Sequence, residues 1–233
     1  MGVKVSVLGD SISTYENYSN NVIDRNDPAI YYPVNEPTVN SVTKTWWWDA
    51  ILQMGGQIVS NDSIAGSCVV NYSSLMGHAS GRFCMNNQAR INDLGDSNVT
   101  SSNHPDVIMF FGGTNDICQS GVFKNEDFIN SYSNAVRMMY ERYSNSITVL
   151  CITPYSNSYL TTNAESGNDV RFGQVCAGIA LVVNHYKAEG RRCKLVSLQD
   201  INLVEGIDAN VGHPTASGMH TIADRVAYVY KNS

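Results

Sequence analysis

The sequence contains no apolar run approaching the ~20 residues that cross a bilayer, so no transmembrane helix is expected and the chain reads as soluble. Basic residues are also scarce. Fifteen Lys and Arg against twenty-one Asp and Glu give a formal net charge of -6, which repels a phosphate backbone and argues against nucleic acid as a partner. Six cysteines are present (Cys68, Cys84, Cys118, Cys151, Cys176, Cys193), but none forms a C-x-x-C pair or stands beside histidine at metal-ligand spacing. Buried thiols are therefore expected, with no metal and no cofactor. There is no linker, no repeat and no charged leader ahead of an apolar stretch, because Val3 to Leu8 already reads as a strand. The Asn-, Ser- and Tyr-rich, Lys-poor composition is compatible with an exported periplasmic or extracellular protein that has lost a leader; the alternative is a cytoplasmic one.

What is present suits one core. A chain of 233 residues with 43% apolar side chains is expected to form a single domain over residues 1–233. Apolar, β-branched runs recur at Val3 to Leu8, Gln57 to Ser60, Val107 to Phe111, Ile147 to Ile152 and Lys194 to Leu198. Between and after them lie stretches with helical periodicity: Trp46 to Met54, Asn87 to Leu94, Asn125 to Tyr143, Asp169 to Ala188 and Ala216 to Tyr230. Strict β-then-α alternation predicts an α/β fold with a five-stranded, mainly parallel sheet covered by helices on both faces. Ligands of such sheets sit beyond the carboxyl ends of the strands, here near Gly9, Asn61, Gly112 and Pro154. Two connections, Ser13 to Lys44 and Tyr155 to Asn168, exceed what crossovers need, and their Tyr, Asn, Ser and Thr content suits a substrate pocket.

Four short blocks stand at those strand ends. Gly9-Asp10-Ser11 puts a serine on the turn after the first strand, and Gly212-His213-Pro214 puts a histidine ahead of the last helix. The two could meet at the same sheet edge, where an imidazole would activate a hydroxyl. Gly113-Thr114-Asn115-Asp116 follows the third expected strand and offers a side-chain amide to a developing oxyanion. Gly66, after the second, lets backbone N–H approach a substrate closely. Gly113, Thr114 and Tyr155 are expected to touch substrate. Asp10 is expected to brace its turn and Asp116 to cap the segment after it. Of Trp46, Trp47 and Trp48, one or two at most can face any one surface, and core packing is expected for the rest. His78 and His104 are expected at the surface.

Taken in this order, the four blocks resemble those of the SGNH or GDSL hydrolases, over nearly the whole chain from Gly9 to the helix after His213. The resemblance implies a flavodoxin-like three-layer α/β/α sandwich. It also implies Ser11 as nucleophile, His213 as general base, and Gly66 and Asn115 joining the Ser11 N–H in an oxyanion hole. One position departs from the pattern: the acid usual three residues before the histidine is Asn210, and Asp208 stands five before. Three readings stay open. Asn210 could orient His213 through its amide oxygen, a bulge in Ala209 to Gly212 could bring Asp208 into register, or a backbone carbonyl could complete a Ser-His dyad. The expected reaction is acyl transfer through a seryl ester, on short-chain or carbohydrate O-acetyl esters given the polar loops. Alternatives are a lipase, lysophospholipase or thioesterase of the same superfamily, or a binding module whose triad has decayed.

Overall fold

The computed structural model describes residues 2–19, 30–72, 83–157, 160, 167–201, 203 and 212–232. Strands β1 (Val3–Gly9), β2 (Gly56–Ser63), β3 (Val107–Phe111), β4 (Thr148–Ile152) and β5 (Arg192–Val196) form one sheet of order β2-β1-β3-β4-β5. Every pairing is parallel. The chain thus runs outward from β1 in one direction to β2, then crosses back to β3 on its other side. That reversal opens a crevice at the carboxyl ends of β1 and β3.

The strands are apolar on both faces because helices cover both. Val107, Met109 and Phe111 of β3 join Val5 and Val7 in one core with Trp46, Trp47 and Ile51 of α1 (Trp46–Gln53) and Met219, Ile222 and Val226 of α6 (Ala216–Asn232). Ile108 and Phe110 point the other way. They pack with Ile91 of α2 (Gln88–Asn92), with Phe128 and Tyr132 of α4 (Asn125–Tyr143), and with Val175 and Ile179 of α5 (Asn168–Ala188). Alternate residues of one continuous apolar run therefore serve two cores, the signature of a doubly covered parallel sheet. The result is the expected three-layer α/β/α sandwich. A short helix, α3 (Thr114–Ile117), fills the turn after β3. Polar contacts hold α6 to α1: Gln53 Nε2 donates to Asp224 Oδ1 at 2.7 Å, and His220 Nδ1 lies 2.6 Å from Asp49 Oδ2. Among the described residues no helix is long and apolar enough to cross a membrane.

Some expectations need correction. Strand β2 runs on through Asn61, Asp62 and Ser63, which pair with Val7, Leu8 and Gly9 although polarity argued for a loop there. The buried Arg90 guanidinium neutralises Asp62, and this makes the polar extension possible. Strand β5 lies two residues earlier than expected, because Arg192 to Val196 match Thr148 to Ile152, and Leu198 N instead donates to Thr153 Oγ1 at 2.9 Å. Helix α2 is shorter than its periodic segment and starts after Asn87, whose side chain accepts from Ala89 N at 2.8 Å. His104 is buried, not at the surface: its Nε2 lies 2.9 Å from Tyr143 O and its ring meets the Tyr143 ring edge-on. His78 lies outside the described residues. Trp46 and Trp47 are buried and Trp48 is half-buried. All six cysteines are described, no disulfide joins them, and all but the half-buried Cys118 are buried.

Candidate active site

Strand β1 ends at Gly9, and Ser11–Ser13 then makes one tight 3₁₀ turn. Asp10 starts that turn by accepting the Ile12 N–H at 3.0 Å, which is the bracing role expected of it. The turn is held from outside as well. Trp46 Nε1 donates to Ser13 Oγ at 3.2 Å, and Asn61 Nδ2 donates to Ser13 O at 2.9 Å. Thr14 Oγ1 donates to Ser11 O at 2.9 Å. Ser11 is 8% exposed, so little of it reaches the surface.

From the other end of the chain, His213 comes to the same place. Its Nε2 lies 2.8 Å from Ser11 Oγ across 202 residues of sequence. The peptide around the histidine is fixed by two buried phenols: Tyr155 Oη donates to Gly212 O at 2.6 Å, and Tyr32 Oη donates to Pro214 O at 2.9 Å. The Tyr31 ring lies flat on the imidazole, with centroids 3.8 Å apart and planes inclined by 7°.

Three segments meet beside Ser11. Gly66 follows β2 in the left-handed region, at φ +76°, where a side chain would be strained. Ser67 ties the segments together: its hydroxyl donates to Gly9 O at 3.2 Å, while its carbonyl accepts from Asn115 Nδ2 at 3.0 Å. Asn115 is thus oriented by the loop that carries Gly66. Asp116 fastens the same loop by accepting Val69 N–H at 2.8 Å and Val70 N–H at 3.0 Å, so it tethers the preceding loop and does not cap the following segment. Beneath them Arg90, fully buried, pairs with Asp62 and donates from Nη2 to Asp62 O at 2.6 Å and to Gly9 O at 3.3 Å.

Charge is stored under the turn. Burial pushes the Asp10 carboxyl up to about 7, with the nearby Asp116 charge adding to the rise; the Ile12 N–H and the Thr114 hydroxyl pull the other way. Burial likewise raises Asp116 to about 6, against the Val69 and Val70 N–H groups.

Of the residues expected at the site, the structure puts Ser11 and His213 in contact, and it links Asn115 and the loop carrying Gly66 to Gly9, two residues before Ser11, through Ser67. Others take different places. Tyr155 is 1% exposed and supports the His213 loop from below, so it is no wall of an open pocket. Gly113 is buried at φ +112°, and a Cβ there would meet Val175 Cγ1 at 2.8 Å; its backbone conformation and tight packing explain the glycine better than substrate contact does. Thr114 is half-buried, and its hydroxyl oxygen is buried away from solvent. Asp208 and Asn210 lie outside the described residues.

Sequence reasoning missed Tyr31, Tyr32, Ser67 and the Arg90–Asp62 pair. The polar run Asn61-Asp62-Ser63 beside an apolar strand was the one signal of a buried cation, whereas the tyrosines sit in a long connection without periodicity.

The fold recurs in known proteins. A crystal structure described as a GDSL-like lipase, from Bacteroides ovatus, superposes with a TM-score of 0.66 at 24% identity over 100% of both chains. A family two carbohydrate esterase from Clostridium thermocellum, in complex with cellohexaose, gives 0.67 at 18% identity, covering 99% of this chain and 64% of that one. The same organism's family 3 carbohydrate esterase gives 0.59 at 14% identity over 100% of this chain and 96% of that one. No curated protein sequence matches the chain. The sequence matches the profile described as GDSL-like Lipase/Acylhydrolase over residues 3–230, and with nearly every residue included the chain belongs to that family of hydrolases.

Proposed function

We propose that residues 1–233 form a single domain working as a serine esterase, with Ser11 as nucleophile and His213 as general base. The observation that carries this reading is the 2.8 Å contact between Ser11 Oγ and His213 Nε2. With Nε2 unprotonated, the Ser11 O–H donates to it. The oxygen then attacks an ester carbonyl carbon as the proton passes to the imidazole. Collapse of the tetrahedral adduct returns that proton to the leaving alcohol and leaves an acyl-Ser11 ester. Water, deprotonated by His213, releases the acid and restores the hydroxyl. The oxyanion would take N–H donors from Ser11, Gly66 and Asn115, whose amide is already aimed by its bond to Ser67 O. No metal or organic cofactor enters this scheme.

The imidazole's second nitrogen needs an orienting group, and Asp208, Asn210 and a backbone carbonyl are the candidates, the last leaving both Asp208→Ala and Asn210→Ala close to wild type. Should Asp208 serve, Asp208→Ala lowers kcat by about 10⁴-fold while Asn210→Ala changes little. Should Asn210 serve, the order reverses.

For substrate we favour short acyl esters on hydroxylated carriers, carbohydrate acetates first. Support comes from the polar composition of the connection carrying Tyr31 and Tyr32, and from the carbohydrate esterases that share the fold. The test is turnover of an aryl acetate by the wild type and by Ser11→Ala. A loss of at least about 10³-fold in the variant, with its melting temperature retained, is expected. Undiminished turnover in the variant ends the proposal. A series of aryl esters of rising chain length, peaking at acetate, supports the substrate class, and a peak at octanoate or beyond redirects it to a lipase.

A further inference from the structure

The imidazole has little freedom left. Gly212 O and Pro214 O, the carbonyls flanking His213, accept bonds from the buried Tyr155 and Tyr32 hydroxyls. The His213 backbone is thereby pinned at both ends. Only its two side-chain torsions are left to decide whether Nε2 faces Ser11. A flat neighbour at 3.8 Å and 7° restricts both, because tilting the imidazole toward Tyr31 collides and tilting it away breaks ring contact, while the Tyr32 ring meets it edge-on at 6.4 Å. Tyr31 is itself held in place: its N–H donates to Thr14 Oγ1 at 2.9 Å, and Thr14 Oγ1 donates to Ser11 O at 2.9 Å. Its ring also packs edge-on against Tyr32, with centroids 4.9 Å apart. The serine turn and the ring that covers the histidine thus share one hydrogen-bonded link through Thr14.

We propose that Tyr31 is a positioning residue for His213: its stacked ring aims the imidazole at Ser11, so that the base is set by an aromatic face in addition to any group at its other nitrogen. This rests on the reading of Ser11 and His213 as nucleophile and base. Stacking also suits the catalytic cycle, since an aromatic face attracts the imidazolium that forms when the serine proton is taken up. The phenol hydroxyl has no part in the stacking, so phenylalanine should replace tyrosine where leucine, of comparable bulk but without a ring, should not.

The test compares wild type, Tyr31→Phe and Tyr31→Leu by steady-state hydrolysis of an aryl acetate and by the rate of labelling with a fluorophosphonate probe. Ser11→Ala is the control. Displacing a catalytic group by a fraction of its reach costs up to about 10²-fold, so Tyr31→Leu is expected to lower kcat and the labelling rate by about 10- to 100-fold with KM within about twofold of wild type. Tyr31→Phe is expected to recover most of both. A Tyr31→Leu enzyme with wild-type kcat and labelling overturns the inference. So does a Tyr31→Phe enzyme as slow as the leucine variant, a result that holds even where Tyr31→Leu folds poorly. Labelling that persists in Ser11→Ala overturns the underlying reading of the site instead, and is seen before any Tyr31 variant is compared.

Discussion

Asp10 offers the sharpest check on the electrostatics beneath the serine turn. Its carboxyl is fully buried and raised from 3.8 to about 7, first by burial and then by the neighbouring Asp116. An acid raised in the folded state holds a proton that the unfolded chain releases. Stability from this group is therefore complete below pH ~3.8, falls as pH rises toward 7, and is flat above it. Asp10→Asn keeps an acceptor for the Ile12 N–H and removes the titration. A value of 3.8 for the unfolded and 7 for the folded state gives a penalty that grows by about 2–3 kcal/mol between pH 5 and pH 8 in the wild type only. At ~2–4 °C per kcal/mol for a domain of this size, the melting temperature of the variant relative to wild type should climb by about 5–10 °C over that range. Thermal scans of both proteins at pH 5, 6, 7 and 8 measure it. A difference that stays flat to within about 0.5 kcal/mol would refute the assignment of a raised, buried carboxyl.

Arg90→Met leaves Asp62 buried without its cation and should cost about 3–5 kcal/mol in urea denaturation, whereas Arg90→Met combined with Asp62→Leu should recover much of that loss. Tyr155→Phe removes the shorter of two bonds to Gly212 O, leaving Asn157 Nδ2 at 3.5 Å, and should lower stability by about 1 kcal/mol; an unchanged denaturation midpoint would mean that Asn157 closes in and satisfies the carbonyl. Gly113→Ala meets both φ +112° and Val175 Cγ1, so a loss of at least about 2 kcal/mol is expected. Adding Val175→Ala should relieve the collision but not the backbone strain.

Much of this architecture was legible before any coordinates because the strands are short, apolar runs separated by helical periodicity. Val107 to Phe111 and Asn125 to Tyr143 agree with the observed elements to the residue. Errors fell where long-range pairing outweighs local composition. Asp62 looked like loop material until Arg90, 28 residues on, supplied its charge. Strand β5 was displaced because its limits are set by register against β4, which no local pattern reports. The blocks holding Ser11, Gly66, Asn115 and His213 stood out in the sequence, and of these the structure puts Ser11 and His213 in direct contact. Tyr31, Tyr32 and Tyr155 were not legible in this way, since a tyrosine in an irregular connection carries no mark of whether it will face solvent, a ligand or a backbone carbonyl.

The wide separation of Ser11 and His213 along the chain bears on how the protein is made. The hydroxyl is synthesised 202 residues before the imidazole, so a nascent chain stalled between the two carries the one without the other. On the proposed reading of the site, acyl transfer is thus withheld until residue 213 has been added, and a fragment ending short of it is inert toward esters however well its early strands have formed.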